Sequence, residues 1–189
     1  MPLLCRPMPH SLQPRAVFLV GFMGAGKTSV GRALAHRLGW RFIDLDDVVE
    51  TRQACSIAEM FARSGENAFR QYETDALREL LRELAGGAPA VVALGGGAPI
   101  RQENADLLAG FGAPVIFLDA PFDVVQQRCG NTCGIRPLFR DAQAARQLYE
   151  SRRPIYLRAG LRVDTASQSV DQAAAEIVRA LGIETTGGH

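Results

Sequence analysis

A chain of 189 residues, 47% hydrophobic and 22% charged, has room for one substantial core and the composition of a folded globular domain, not of a disordered or fibrous segment. Its net charge of +1 supplies no field that would draw the whole molecule to nucleic acid or membrane, so any basic site has to be local. No apolar run approaches the roughly 20 residues of a membrane span, and four irregularly spaced cysteines suit reduced thiols in the cytoplasm better than a disulfide framework.

Residues 1–14 carry four prolines and no continuous apolar segment, which predicts a loose extension and not a signal peptide. Ala16-Val17-Phe18-Leu19-Val20 is suited to a buried parallel strand, and residues 28–38 place Val30, Ala33, Leu34 and Leu38 at helical spacing. Between them lies Gly21-Phe22-Met23-Gly24-Ala25-Gly26-Lys27-Thr28. Strand, G-x-x-x-x-G-K-[ST] loop and helix, in that order, form the phosphate-binding P-loop. Its glycines let successive N–H groups point inward at phosphate oxygens, at the positive end of a helix dipole. Lys27 is placed to reach the β- and γ-phosphates and the Thr28 hydroxyl to ligate Mg²⁺.

Arg41–Asp44 reads as a second strand, and Ser56-Ile57-Ala58-Glu59 as a capping box opening a short helix through Phe61. Gly65 interrupts it. From Glu66 to Leu84 a long helix aligns Phe69, Tyr72, Ala76, Leu77, Leu80 and Leu84, closed by Gly86-Gly87. A third strand, Ala90–Leu94, runs into Gly95-Gly96-Gly97; a polar helix covers about 101–109. Pro114–Leu118 is a fourth strand followed by a helix over 121–128. Cys129 to Arg140 has no period and many turn residues, which predicts a movable segment. A helix over about 142–151 ends before Pro154, Leu161–Asp164 is a fifth strand, and Val170–Leu181 is a closing helix stopped by Gly182.

Strict β/α alternation with hydrophobic strands predicts an α/β fold, a three-layer α/β/α sandwich around a five-stranded parallel sheet, in one domain over 15–182 with a tail at 183–189. Such sheets bind ligands at the carboxyl ends of their strands. There stand Asp44-Leu45-Asp46-Asp47, either carboxylates for metal and hydroxyl chemistry or a helix N-cap with an acidic first turn. Gly95-Gly96-Gly97 permits unusual φ and lets a ligand touch backbone N–H groups, or is a plain tight turn. Arg70 alone reads as a solvated surface residue. Arg136, on the movable segment, is placed to close over phosphates, and Arg152 and Arg153 offer guanidinium forks for a carboxylate. Cys129 and Cys133 lack the partners of a metal site.

Together these pieces resemble the shikimate kinases over about residues 17–181. The likeness rests on the P-loop through Gly31, Phe42-Ile43-Asp44-Leu45-Asp46, Ser56–Phe61, and Gly65-Glu66 with Phe69-Arg70 and Glu73. It continues in Gly95–Gly97, Arg136-Pro137-Leu138 and Arg152-x-Pro154-Ile155-Tyr156. The resemblance implies a nucleoside-monophosphate-kinase-like fold and transfer of the γ-phosphoryl group of MgATP to the 3-hydroxyl of shikimate, in aromatic amino acid biosynthesis. It gives Gly24, Ala25, Gly26, Lys27, Thr28 and Ser29 to the ATP phosphates, Thr28 and Asp44 to Mg²⁺, and Asp46 to the substrate hydroxyls as base. Arg70, oriented by Glu73, and Arg152 take the substrate carboxylate, and Gly95, Gly96 and Gly97 the ring hydroxyls. Arg136 belongs to a lid over about 129–140, Arg128 and Gln168 to the adenine side, and the shikimate-binding segment spans about 44–75. A cytoplasmic monomer with no nucleic-acid or membrane partner is implied. Ala54 departs from the resemblance, standing where glycine is usual, as do Phe139 and the segment 129–135. A kinase of another polyol or sugar acid such as gluconate, and a non-catalytic nucleotide-dependent regulator, are the competing readings.

Overall fold

The computed structural model describes residues 14–130 and 141–183. Most of the expected extension, lid and tail, with Arg136, Cys133 and Phe139, lies outside the described residues.

The chain alternates as β1 (Ala16–Val20), α1 (Lys27–Leu38), β2 (Arg41–Asp44), α2 (Leu45–Gln53), α3 (Ile57–Gly86), β3 (Ala90–Ala93), a 3₁₀ turn (Ala98–Ile100), α4 (Gln102–Phe111), β4 (Val115–Asp119), α5 (Phe122–Gly130), α6 (Ala142–Tyr156), β5 (Leu161–Asp164) and α7 (Val170–Leu181). The strands form one sheet in the order β2-β3-β1-β4-β5, parallel throughout. Every residue of β1 is buried, as a central strand covered on both faces requires. Its alternating side chains go to opposite layers. Phe18 and Val20 join the core built with α3, Leu108 and Tyr156, while Val17 and Leu19 join the one built with α1 and α7. Register aligns the strand ends: Leu19 and Asp44 both lie opposite Ala93. The loops after β1, β2 and β3 therefore meet at one edge of the sheet.

Several local rules act as the residues dictate. Ser56 and Glu59 cap α3 reciprocally, and Gly65, at φ 75° and ψ 177°, breaks α3 where its missing Cβ makes that conformation accessible. The run after β2 is a helix, α2, started by Asp44 as N-cap with the Asp46 amide on its carboxylate, one of the two readings of that stretch. One expectation needs correcting. Helix α6 does not stop before Pro154 but carries it in the last turn. There the missing N–H forfeits a single bond, to the carbonyl of exposed Glu150, where water can replace it.

Ala54 closes α2 at φ 51° and ψ 31°, the non-glycine residue with positive φ among the described residues. A left-handed alanine costs about 1–2 kcal/mol, against a smaller gain in unfolded-state entropy when glycine replaces it. Ala54→Gly is therefore expected to stabilise the protein by about 0.5–1 kcal/mol, read as a higher urea midpoint at unchanged slope. A lower midpoint would contradict the strain.

Candidate active site

The P-loop curls on Gly21, Gly24 and Gly26, at φ 149°, 78° and 97°, and Gly26 is the N-cap of α1. Lys27 Nζ donates to the carbonyls of Gly21 (2.9 Å) and Phe22 (3.2 Å), lying back along the loop. Ala25 is buried and Ser29 exposed in the first turn of α1. Thr28 Oγ1 donates to Asp44 Oδ2 at 3.2 Å, while Asp44 Oδ1 accepts the Asp46 N–H, also at 3.2 Å. The two readings of Asp44 are thus compatible: one oxygen caps α2 and the other faces the P-loop hydroxyl. Burial pushes the Asp44 carboxyl above its ordinary range, opposed by the hydrogen bond from Asp46.

On the other side of Asp46 lies the glycine turn after β3. None of its three glycines has positive φ, so unusual φ is not what they provide. They provide room. A Cβ on Gly95 would stand 2.6 Å from Asp46 Oδ1 and 2.7 Å from Glu73 Oε1, and one on Gly97 would overlap the Arg70 guanidinium. One on Gly96 would meet Tyr156 Oη at 3.5 Å and Arg152 Nη1 at 3.6 Å. Arg70 is not a solvated surface residue: Nη1 donates to Glu73 Oε2 at 3.0 Å, and Nε and Nη2 donate to Glu66. Glu73 is fully buried and its Oε1 has no hydrogen-bond partner among the described residues. Burial raises the pKa of Glu73, with Arg70 opposing, and burial followed by the Asp44 charge raises that of Asp46. A cavity of about 510 Å³ opens here, lined by Glu66, Arg70, Gly97, Arg101 and Arg152 among others.

Across β1 from this cavity, Arg128 Nη2 donates to the Thr165 carbonyl at 2.6 Å and Nη1 to that of Gly24 at 3.5 Å, tying α5 to both the P-loop and the loop after β5. Gln168, on that loop, donates to Glu176 Oε2 at 2.8 Å. The structure thus sorts the expected residues into two groups flanking the P-loop: Asp46, Arg70, Gly95–97 and Arg152 on the β2/β3 side, Arg128 and Gln168 on the β4/β5 side.

A model of the shikimate kinase family matches residues 23–182. The chain belongs to that family. It is 43% identical over 166 residues to the shikimate kinase of Geobacter metallireducens, covering 86% of this chain and 89% of that protein. Among solved structures it resembles shikimate kinase from Acinetobacter baumannii in complex with shikimate, with TM-score 0.77 and 32% identity over 89% of this chain and 92% of that one. It also resembles shikimate kinase from Bacteroides thetaiotaomicron, with TM-score 0.80 and 28% identity over 89% and 98% of the two chains.

The sequence misplaced one residue at this site and gave others no role. Arg153 does not join Arg152 on the cavity: with Arg162 it pairs to Asp119 Oδ2, at 2.7 and 2.8 Å, and Asp119 is 4% exposed. Arg101 lines the cavity and donates to Thr74 Oγ1 at 3.2 Å. Tyr156 is buried with its hydroxyl on the Gly96 carbonyl. The signal available for Tyr156 was its place four residues after Arg152, on the same helical face; the partners of Asp119 lie on other elements and left no signal.

The raised pKa of Glu73 carries a pH dependence. Its proton is held more tightly in the folded chain than in the unfolded one, so its contribution to stability is complete below the ordinary value of 4.5 and is lost as pH rises through the folded value. Glu73→Gln removes that titration. The stability of wild type relative to Glu73→Gln is therefore expected to fall as pH rises from about 4 toward neutrality, measured by urea unfolding at each pH. A relative stability that rises with pH would contradict the buried, raised carboxyl.

Proposed function

We propose that this chain transfers the γ-phosphoryl group of ATP to the 3-hydroxyl of shikimate, giving shikimate 3-phosphate. The observation that carries the reading is the convergence of Arg70, Arg152, Asp46 and the glycine turn on one side of the P-loop. Three guanidinium groups, those of Arg70, Arg101 and Arg152, border a cavity of a size for a small acid, and a carboxylate stands between that cavity and the phosphate loop. Thr28 and Asp44 suit Mg²⁺: they are oxygen donors in contact beside the loop, and this ion takes one or two protein ligands and keeps its waters. When bound, MgATP supplies the phosphoryl group and a cation that offsets its charge.

The chain's own residues do the rest. N–H groups from Gly24 to Ser29 and the Lys27 ammonium bind the phosphates and offset charge at the transferring group. Arg70 and Arg152 hold the substrate carboxylate, the glycine turn leaves space for the ring, and Asp46 takes the hydroxyl proton. Desolvation, which raises the Asp46 pKa, makes it a stronger base than an exposed aspartate. Arg136 keeps the phosphate role that the family resemblance implies, and the same reading takes the chain as a cytoplasmic monomer. No helix among the described residues is long and apolar enough to cross a membrane. The gluconate-type and regulator readings are disfavoured by the family match, the first also by the set of Arg70, Gly95–Gly97 and Arg152, the second by the paired carboxylates Asp44 and Asp46 beside the P-loop.

ADP release coupled to a spectrophotometric assay tests the proposal: release should depend on shikimate, and equal release without it would contradict the reading. Lys27→Ala should lower turnover by about 10²–10³, the scale of removing a charge-stabilising donor. Asp46→Asn should lower it by about 10²–10⁴, the scale of general-base catalysis, with ATP binding kept. Loss of ATP binding in Asp46→Asn, with shikimate binding kept, would place Asp46 with the metal and Asp44 with the acceptor.

A further inference from the structure

Tyr156 is 2% exposed at the end of α6, its ring stacked at 5.4 Å on Phe117. Its hydroxyl donates to the Gly96 carbonyl, and the Arg152 guanidinium, one helical turn back, lies near enough for its charge to act on the phenol. Both groups come within 3.6 Å of the point where a Gly96 Cβ would stand. The peptide they border joins two glycines, whose backbone flips at little steric cost because neither has a Cβ. That peptide is trans, so its N–H, on Gly97, points opposite to the Gly96 carbonyl. The hydrogen bond to Tyr156 selects one of the two orientations. Gly97 lines the cavity together with Arg70 and Arg152.

We propose that Tyr156 is a positioning residue for the acceptor: through its hydroxyl it holds the Gly96–Gly97 peptide in the orientation that turns the Gly97 N–H away from α6, and it holds Arg152 beside that peptide. The proposal rests on the reading of this cavity as the shikimate site. A buried phenol suits the task because it donates to the carbonyl while presenting its oxygen lone pairs to a neighbouring guanidinium, which phenylalanine cannot do. Burial pushes its pKa up to about 12, so it remains a donor throughout the range in which the enzyme is assayed.

The test compares wild type, Tyr156→Phe and Phe117→Leu, each as the full chain, in ADP release with shikimate and ATP varied separately, and in thermal unfolding. Tyr156→Phe keeps the ring and its stacking. Its KM for shikimate is expected to rise about tenfold, the scale of a lost hydrogen bond with a polar group left unpaired, with the KM for ATP within about twofold of wild type. The rise should be the same from about pH 6 to about pH 9, since the phenol does not titrate there. Phe117→Leu loosens the same stack without touching a hydroxyl, and should lower the melting temperature with the KM for shikimate kept. An unchanged KM for shikimate in Tyr156→Phe, a KM for ATP that rises in step with it, or an equal shikimate defect in Phe117→Leu would each overturn the proposal. Absence of shikimate turnover in the wild type would instead overturn the kinase reading.

Discussion

The turn after β3 carries three residues without side chains, and two carboxylates and a guanidinium occupy the space that side chains on Gly95 and Gly97 would fill. The β2/β3 side of the site depends on this. Glu73 is fully buried, and a buried carboxylate without a cation is costly enough that removing its partner typically destabilises by several kcal/mol. Arg70 supplies that cation at 3.0 Å and is thereby held against Gly97. Of the five N–H groups of Arg70, three go to Glu73 and Glu66, leaving two to meet an anion in the cavity. The pair thus fixes the guanidinium without exhausting it.

Topology supplies the rest of the geometry. Because β1 lies between β3 and β4, the loop after β1 has the acidic and glycine turns on one side and Arg128 with the loop after β5 on the other. The parallel register brings Asp44 level with Ala93, so the Thr28–Asp44 contact and the Asp46–Gly95 approach both follow from strand pairing. Asp119, at the end of β4, takes Arg153 and Arg162 and so pins the C-terminal turn of α6 to the sheet. Arg152 and Tyr156 project from that same turn. A charge cluster outside the cavity therefore helps place the side chains within it.

The P-loop, the five strands along the chain and the end of α7 were legible because each is written in contiguous residues: a spacing, an apolar run, a stop glycine. Asp44 was legible in two ways, and the structure shows the helix cap on one oxygen and the Thr28 hydroxyl on the other, an arrangement compatible with both. The glycines after β3 were noticed for a property they do not use, since conformational freedom is local whereas the need for room is set by Asp46, Glu73 and Arg70 arriving from elsewhere. Arg70 looked like surface for the same reason: its partner Glu73 is close in sequence, but the burial of Glu73 depends on packing. The separation of Arg152 from Arg153 could not be read from an Arg-Arg pair, because Asp119 lies 34 residues away. Proline at 154 misled about the end of α6 because its cost is smaller in a last turn, where the freed carbonyl meets water and no further turn has to follow the ring.

The central claim is that Arg70 and Arg152, held across the glycine turn, recognise the acceptor by its carboxylate. Calorimetric titration of the wild type with shikimate and with its neutral carboxamide, under the same buffer and nucleotide, addresses it directly. Loss of one partner of a buried, hydrogen-bonded charge pair costs about 2 kcal/mol or more, so the amide should bind at least about thirtyfold more weakly than the acid. Equal affinity for acid and amide would mean that the guanidinium groups serve the fold alone, and the account of the site would have to be rebuilt from another face of the substrate.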